Sequence, residues 1–264
     1  MIIVGEKING TLSPVKTIIL NRDTNRLLDL AERQADAGAN FIDVNVGTGV
    51  GTTEDEIQSM RWAVENIQNT IETPLCIDSA DPKVLEAAMA ALDGRPAMIN
   101  STKASRHSLD AIAPIAADHN AFLVALAMDE GGIPATTNDR LGACEKIATA
   151  CEKHGVPIEN VYFDPLVMPI STDRNSAMVT LGTISAVKER FPGAKTITGL
   201  SNVSYGLPER CRLNSAYLNM CIFCGLDAAI IDPLDEELMN AVKTGEVLVG
   251  KDRHCRRYLR AFRK

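Results

Sequence analysis

Short apolar runs rich in β-branched residues recur along the chain, each followed by a helix-length segment of mixed polarity. Ile2–Gly5, Phe41–Val46, Pro74–Ile77, Ala97–Asn100, Phe122–Met128, Val161–Phe163, Lys195–Gly199 and Ala228–Ile231 read as eight strands. Unbroken apolar stretches of roughly 4–8 residues suit strands buried on both faces. The intervals carry helix signals. Asp81-Pro82 is an N-cap followed by an N1 proline, with Val84, Leu85, Ala88, Met89 and Leu92 on one face and Gly94 at the end. Thr53-Glu-Asp-Glu56 reads as a capping box before Ile57, Met60, Val64 and Ile67. Leu27, Leu28, Ala31 and Ala35 precede Gly38, and Leu141, Cys144, Ala148 and Cys151 precede Gly155, both glycines suiting a left-handed helix stop.

Eight β-then-α units predict an α/β protein, a single (β/α)8 TIM barrel as one domain over 1–264. A doubly wound open sheet is the competing arrangement. In a barrel the carboxyl ends of all strands face one mouth. There the pattern becomes chemical, because the apolar runs stop at acids and amides: Glu6, Asp43, Asn45, Asp78, Asn100, Asp164, Asn202 and Asp232. Helix capping or loop-amide contacts account for Asp81 and are open for Asp43 and Asp232. They do not account for Asp78, Asn100, Asp164 and Asn202 together. Crowded carboxylates call for a cationic or donor-rich ligand. A pterin or purine-like edge fits, because carboxylates accept adjacent donors and amides both donate and accept.

Composition narrows the classes. The chain has 264 residues and a net charge of −7, which argues against a general nucleic-acid binder. No run approaches the ~18–20 apolar residues of a membrane span. The first residues read as a strand, not as a leader. The 7 cysteines form no disulfide framework, so a cytoplasmic setting is expected. From Lys251 to Lys264 there are seven Lys or Arg against one Asp, leaving −13 on the remainder. In this segment Tyr258, Leu259 and Phe262 can pack on one helix face, with Arg256, Arg257, Arg260 and Arg263 solvated; a docking patch for an acidic partner is the alternative.

Other motifs carry less. Gly47-Thr-Gly-Val-Gly51 is neither a Walker loop nor a dinucleotide fingerprint, and reads as a mobile mouth loop. Cys221-x-x-Cys224 is half a zinc site without a second pair, and Ile222-Phe223 suggests helix core, so no metal is expected. The four histidines are dispersed.

Together the segments Met1–Gly10, Ile42–Gly47, Leu75–Ser79, Ala97–Thr102, Phe163–Leu166, Gly199–Ser204 and Cys224–Ala229 resemble the methyltetrahydrofolate:corrinoid protein methyltransferases, pterin-binding barrels related to the folate module of cobalamin-dependent methionine synthase. The resemblance runs to about residue 235. It implies a methyl transfer between N5 of (methyl)tetrahydrofolate, the substrate, and the cobalt of a corrinoid. Direction is open. It implies that Asp78, Asn100 and Asp164 hold the pterin edge, that Gly199 and Ser201 lie against the ring, and that Asn202 is catalytic near N5. It further implies that Arg210, in the loop after the seventh strand, helps at the mouth and that Glu6 supports the site floor; Asp43 and Asn45 are further candidates. A corrinoid signature is incomplete at Asp252-Arg-His254, with Arg257 at its glycine position, so the corrinoid (cobalamin) is expected on a separate protein docking over the mouth. A homodimer is also implied. A dihydropteroate-synthase-like condensing enzyme is the lesser reading, because Asp43-Val-Asn-Val-Gly47 replaces that family's second-strand signature. A non-catalytic pterin-binding subunit is another alternative.

Overall fold

The computed structural model describes residues Met1–Arg263. Eight parallel strands close into a barrel in sequence order. They are β1 (Ile2–Asn9), β2 (Phe41–Asn45), β3 (Leu75–Asp78), β4 (Ala97–Lys103), β5 (Phe122–Leu126), β6 (Val161–Asp164), β7 (Lys195–Gly199) and β8 (Ala228–Ile231). The helices are α1 (Ser13–Leu20), α2 (Thr24–Asp36), α3 (Thr53–Gln68), α4 (Pro82–Ala91), α5 (Arg106–Asp118), α6 (Thr137–His154), α7 (Ser176–Arg190), α8 (Arg210–Phe223), α9 (Glu236–Leu248) and α10 (Arg256–Phe262). The expected barrel is present; the open sheet is not.

Side-chain alternation along a strand explains what fills the barrel. Val4, Phe41, Cys76, Met98, Val124, Tyr162, Ile197 and Ala228, one from each strand, form a buried apolar cluster. Phe122 closes it edge-on against Phe41 and Tyr162, with ring centroids 5.9 and 5.7 Å apart. Burying each large side chain contributes about 1.5–3 kcal/mol. Two positions further along six of these strands stand Glu6, Asp43, Asp78, Asn100, Asp164 and Gly199. The same two-residue period that builds the apolar floor therefore raises a polar layer above it, toward the mouth.

Local signals mostly act as expected. Asp81 caps α4 by accepting from the Lys83 amide, and Gly155 (φ +80°) ends α6 in the left-handed region. The capping box of α3 lies one residue earlier than expected: Thr52 and Asp55 exchange the two bonds, because Thr53 already has helical position. β4 continues to Lys103, past the first polar residues, by a register shift against β5 between Asn100 and Thr102. A second shift lies between Gly5 and Ile8 in β1. Bulges of this kind re-aim side chains beside functional sites.

Two expectations about α8 and the C-terminal segment need correction. Cys221 and Ile222 are buried, but Phe223 is 81 % exposed, because it falls on the outer face of α8 and not in the core. Arg257 is not simply solvated: its Nη1 pairs with the buried Glu246 at 2.8 Å. Glu246 also pairs with the Met1 amine. Lys251 Nζ reaches the Leu226 carbonyl just before β8. The basic segment thus sits at the amino-terminal end of the strands, opposite the mouth. Tyr258 and Phe262 stack there at 4.6 Å. Lys264 lies outside the described residues.

Candidate active site

The mouth gathers the strand-end residues into two connected groups. In the first, Asp78 and Asn100 are register partners on β3 and β4. Asn45 Nδ2 donates to Asp78 Oδ2 at 2.8 Å, and its Oδ1 accepts from the Gly47 amide at 3.0 Å. Asn100 Nδ2 donates to Asp43 Oδ1 at 3.2 Å, which leaves the Asn100 Oδ1 and the second Nδ2 hydrogen for a ligand. Asp43 and Asn100 are buried. Asp43 therefore supports Asn100 and caps no helix.

In the second group, Ser201 Oγ donates to Glu6 Oε1 at 3.4 Å. Arg210 donates from Nη2 to the Ser201 carbonyl at 2.7 Å and from Nε to Ser204 Oγ at 3.0 Å. These bonds brace the 3-10 turn Leu200–Ser204 that follows Gly199. Arg210 is the first residue of α8, not a loop residue. Asn202 stands exposed on that turn, and its side-chain amide makes no hydrogen bond within the chain among the described residues. Asp164 lies between the groups on β6, its Oδ1 accepting from the Leu166 amide at 2.7 Å. Thr198 on β7 is fully buried, and its hydroxyl lies beside the Asp164 carboxylate.

Electrostatics set what this layer accepts. Burial pushes the Glu6 carboxyl up to about 7, with the Asp232 charge adding to the rise. Burial pushes Asp164 up to about 6, opposed by its amide and hydroxyl donors and by Arg140. Asp43 is raised by burial and then by the Asp78 charge, and Asp78 is itself raised by burial. The donors and cations around these groups do not offset burial, so a donor-rich ligand edge would relieve them. Asp232 is already served: it accepts from Lys7 Nζ at 2.8 Å and from the Leu234 amide at 2.9 Å.

A cleft of about 570 Å3 opens beside Asp78, lined by Ser101, Lys103, His107, Met128 and Glu130. That volume is within the roughly 300–1,000 Å3 of small-molecule sites, but Asp78 is the one candidate pterin residue that lines it, and Asn100, Asp164 and Asn202 lie outside it. The loop 46–52 borders a separate hollow with Asp55 and Glu56. No group of three or more His, Cys, Asp or Glu is arranged to hold a metal ion among the described residues. The sequence pattern missed Lys7, Thr198, Ser204 and Arg140. Lys7 is adjacent to Glu6 and offers a weak signal; Ser204 acts within its own turn, and Thr198 and Arg140 act through contacts distant along the chain.

Comparisons with known proteins give the family. The family described as pterin binding enzyme matches residues 5–232. The methylcorrinoid:tetrahydrofolate methyltransferase of Eubacterium limosum is 36 % identical, covering 100 % of this chain and 97 % of that protein. The methionine synthase of Mycobacterium tuberculosis is 30 % identical over 88 % of this chain, which spans only 20 % of that longer protein. Among solved structures, the dihydropteroate synthase of Stenotrophomonas maltophilia aligns with a TM-score of 0.69 at 20 % identity, covering 94 % of this chain and 92 % of that one. The Yersinia pestis DHPS with a pterine–sulfa conjugate aligns at 0.73 with 15 % identity, covering 95 % and 93 %. At such identities these structures share the fold alone. With a family match across most of the chain and a full-length methyltransferase relative above one-third identity, the chain belongs to the pterin binding enzyme family, on its methyltransferase branch.

Proposed function

We propose that this chain, as a single domain, moves a methyl group between N5 of tetrahydrofolate and the cobalt of a corrinoid carried by a separate protein. The observation that carries this reading is the polar layer above the apolar floor, where Asp78, Asn100 and Asp164 stand on three strands with unmet hydrogen-bonding capacity. The donor-rich edge of a pterin suits two carboxylates, and its acceptor–donor alternation suits Asn100. The buried Thr198 hydroxyl beside Asp164 adds a polar group where β6 and β7 would meet a ligand. Gly199 and Ser201 offer a surface without bulky side chains for the ring face.

The corrinoid supplies the cobalt centre that gives or takes the methyl group. The chain's own part is positioning and hydrogen bonding. Asp78, Asn100 and Asp164 fix the ring, which restricts N5 to a reactive orientation. Asn202, exposed on the braced turn, is the catalytic residue: an oriented amide that hydrogen-bonds N5, whose proton passes to solvent when N5 receives the methyl group and returns when N5 gives it up. Glu6 and Arg210 hold that turn from either side. The name of the full-length relative supports transfer from methylcorrinoid to tetrahydrofolate; the same geometry serves the reverse.

Exposed apolar side chains at the mouth support docking of a corrinoid protein there. Leu12, Val50, Ile133 and Tyr205 are 46, 61, 40 and 65 % exposed on the loops after β1, β2, β5 and β7. A homodimer is supported by a groove of about 560 Å3 between α7 and α8, rimmed by exposed Met178, Met220 and Phe223. No helix among the described residues is long and apolar enough to cross a membrane, and the cysteines are free, which suits a cytoplasmic reaction.

Stopped-flow absorbance of a corrinoid protein mixed with the chain and tetrahydrofolate tests the reading. Asn202→Ala should slow transfer at least about tenfold, with tetrahydrofolate affinity changed much less. Failure of the wild type to bind tetrahydrofolate, or an unchanged transfer rate in the variant, would overturn the assignment.

A further inference from the structure

A buried cation stands behind Asp164. Arg140, in the first turn of α6, is 2 % exposed, and no carboxylate lies within ion-pair distance of it among the described residues. Burying a charge without such a partner is costly unless hydrogen bonds replace its water. Here they do. Nε donates to the Pro134 carbonyl at 2.9 Å. Nη1 donates to the carbonyls of Pro165 and Leu166, the latter at 2.7 Å, and to Thr180 Oγ1 at 3.3 Å. Thr180, fully buried on α7, donates to the same Leu166 carbonyl at 2.9 Å.

The far side of this short segment meets the active site. The Leu166 amide donates to Asp164 Oδ1 at 2.7 Å. Leu166 has φ +64°, a left-handed conformation that a branched residue adopts only when its surroundings impose it. The Pro165–Leu166 turn is thus held from two sides, by Arg140 through its carbonyls and by Asp164 through its amide.

We infer that Arg140 is a positioning residue for substrate binding, clamping the Pro165 and Leu166 carbonyls so that the Leu166 amide fixes the Asp164 carboxylate toward the pterin edge. The inference rests on the proposed function, since it assigns Asp164 to that edge. A second consequence is electrostatic. Asp164 is faced by Arg140 and Cys144 from α6, by the Thr198 hydroxyl and the Gly199 amide from β7, and by the Leu166 amide; Tyr217 of α8 lies beside Arg140. Arg140 is the cation in this set, and it opposes the rise that burial causes.

Three variants separate geometry from charge: Arg140→Lys keeps the charge and loses the planar fork, Arg140→Met loses both, and Thr180→Val removes one support of the Leu166 carbonyl. Tetrahydrofolate affinity is measured by calorimetry between pH 5 and 8, with melting curves as a folding control. Expected are losses of about 5–20-fold for Arg140→Lys and smaller losses for Thr180→Val, with the acidic limb of binding unmoved. Arg140→Met should bind more weakly still, with that limb moved to higher pH. Should Arg140→Met fail to fold, the other two variants decide. Wild-type affinity in both Arg140→Lys and Thr180→Val overturns the inference while leaving the proposed function standing. So does an Arg140→Met variant that folds and binds weakly with the limb in place. A wild type that does not bind tetrahydrofolate overturns both.

Discussion

Asn45 and Asp78 join two neighbouring strand ends through one amide, Nδ2 donating to Asp78 Oδ2 at 2.8 Å while Oδ1 is held by the Gly47 amide. Burial raises Asp78, and this donation opposes it. Asn45→Ala should therefore release the carboxylate in orientation and raise it further. A hydrogen bond to a charged group contributes about 1.5–3 kcal/mol, so tetrahydrofolate affinity should fall about 10- to 100-fold. Calorimetry at pH 7.5 checks this, and an unchanged Kd would mean that Asp78 is oriented by other groups.

Substrate binding should be pH-dependent through Asp164. A carboxyl at about 6 is mostly ionised at pH 7 and protonated below 5. Only the ionised form accepts two donors, so affinity should be flat above pH 7 and weaken about tenfold per unit well below 6. Asp164→Asn should bind weakly and without this limb. Titrations across pH 5–8 distinguish the two.

Stability should carry the opposite sign for Glu6. Its folded carboxyl, at about 7, lies above the ordinary 4.5. The protonated form is thus favoured in the folded state, and that contribution is full below pH 4.5 and lost as pH rises through 7. Glu6→Gln should stabilise the fold at pH 8, by about 3 kcal/mol at most from the size of the shift, and leave it nearly unchanged at pH 4. Urea denaturation at both pH values tests the difference; an equal effect at both would assign the change to packing.

Docking should depend on the apolar rim. Tyr205→Ala and Val50→Asp should raise the KM for the corrinoid protein about tenfold while tetrahydrofolate affinity stays within threefold. Steady-state kinetics with a titrated partner measures this. Equal loss for both substrates would place these residues in the folate site instead.

Self-association should depend on the groove between α7 and α8. Phe223→Asp, changing a residue 81 % exposed, should give a monomer by sedimentation velocity with its melting temperature little changed. A variant that sediments as the wild type does would remove this groove from the dimer.

The barrel was legible because buried parallel strands leave unbroken apolar runs. Lys195–Gly199 and Ala228–Ile231 have the bounds expected of them. β4 runs past the expected end because Thr102 and Lys103, though polar, pair with β5 beyond the register shift at Ser101. The bonds within the site were not legible. Asn45 and Asp78 lie 33 positions apart, and an arginine in the first turn of an amphipathic helix resembles a solvated one. Arg140 is buried only because carbonyls from the loops after β5 and β6 converge on it.

The alternating floor and polar layer make catalytic competence a matter of parity. Phe41 and Asp43, Cys76 and Asp78, Met98 and Asn100, Tyr162 and Asp164 each occupy same-sided positions of one strand. Inserting or deleting one residue inside any of these strands would turn its functional group toward the surrounding helices and carry an outer apolar residue into the lumen. Changes of even length would spare the facing and alter only the depth. The chain's tolerance for length variation should therefore lie in its loops, with the strands counted in twos.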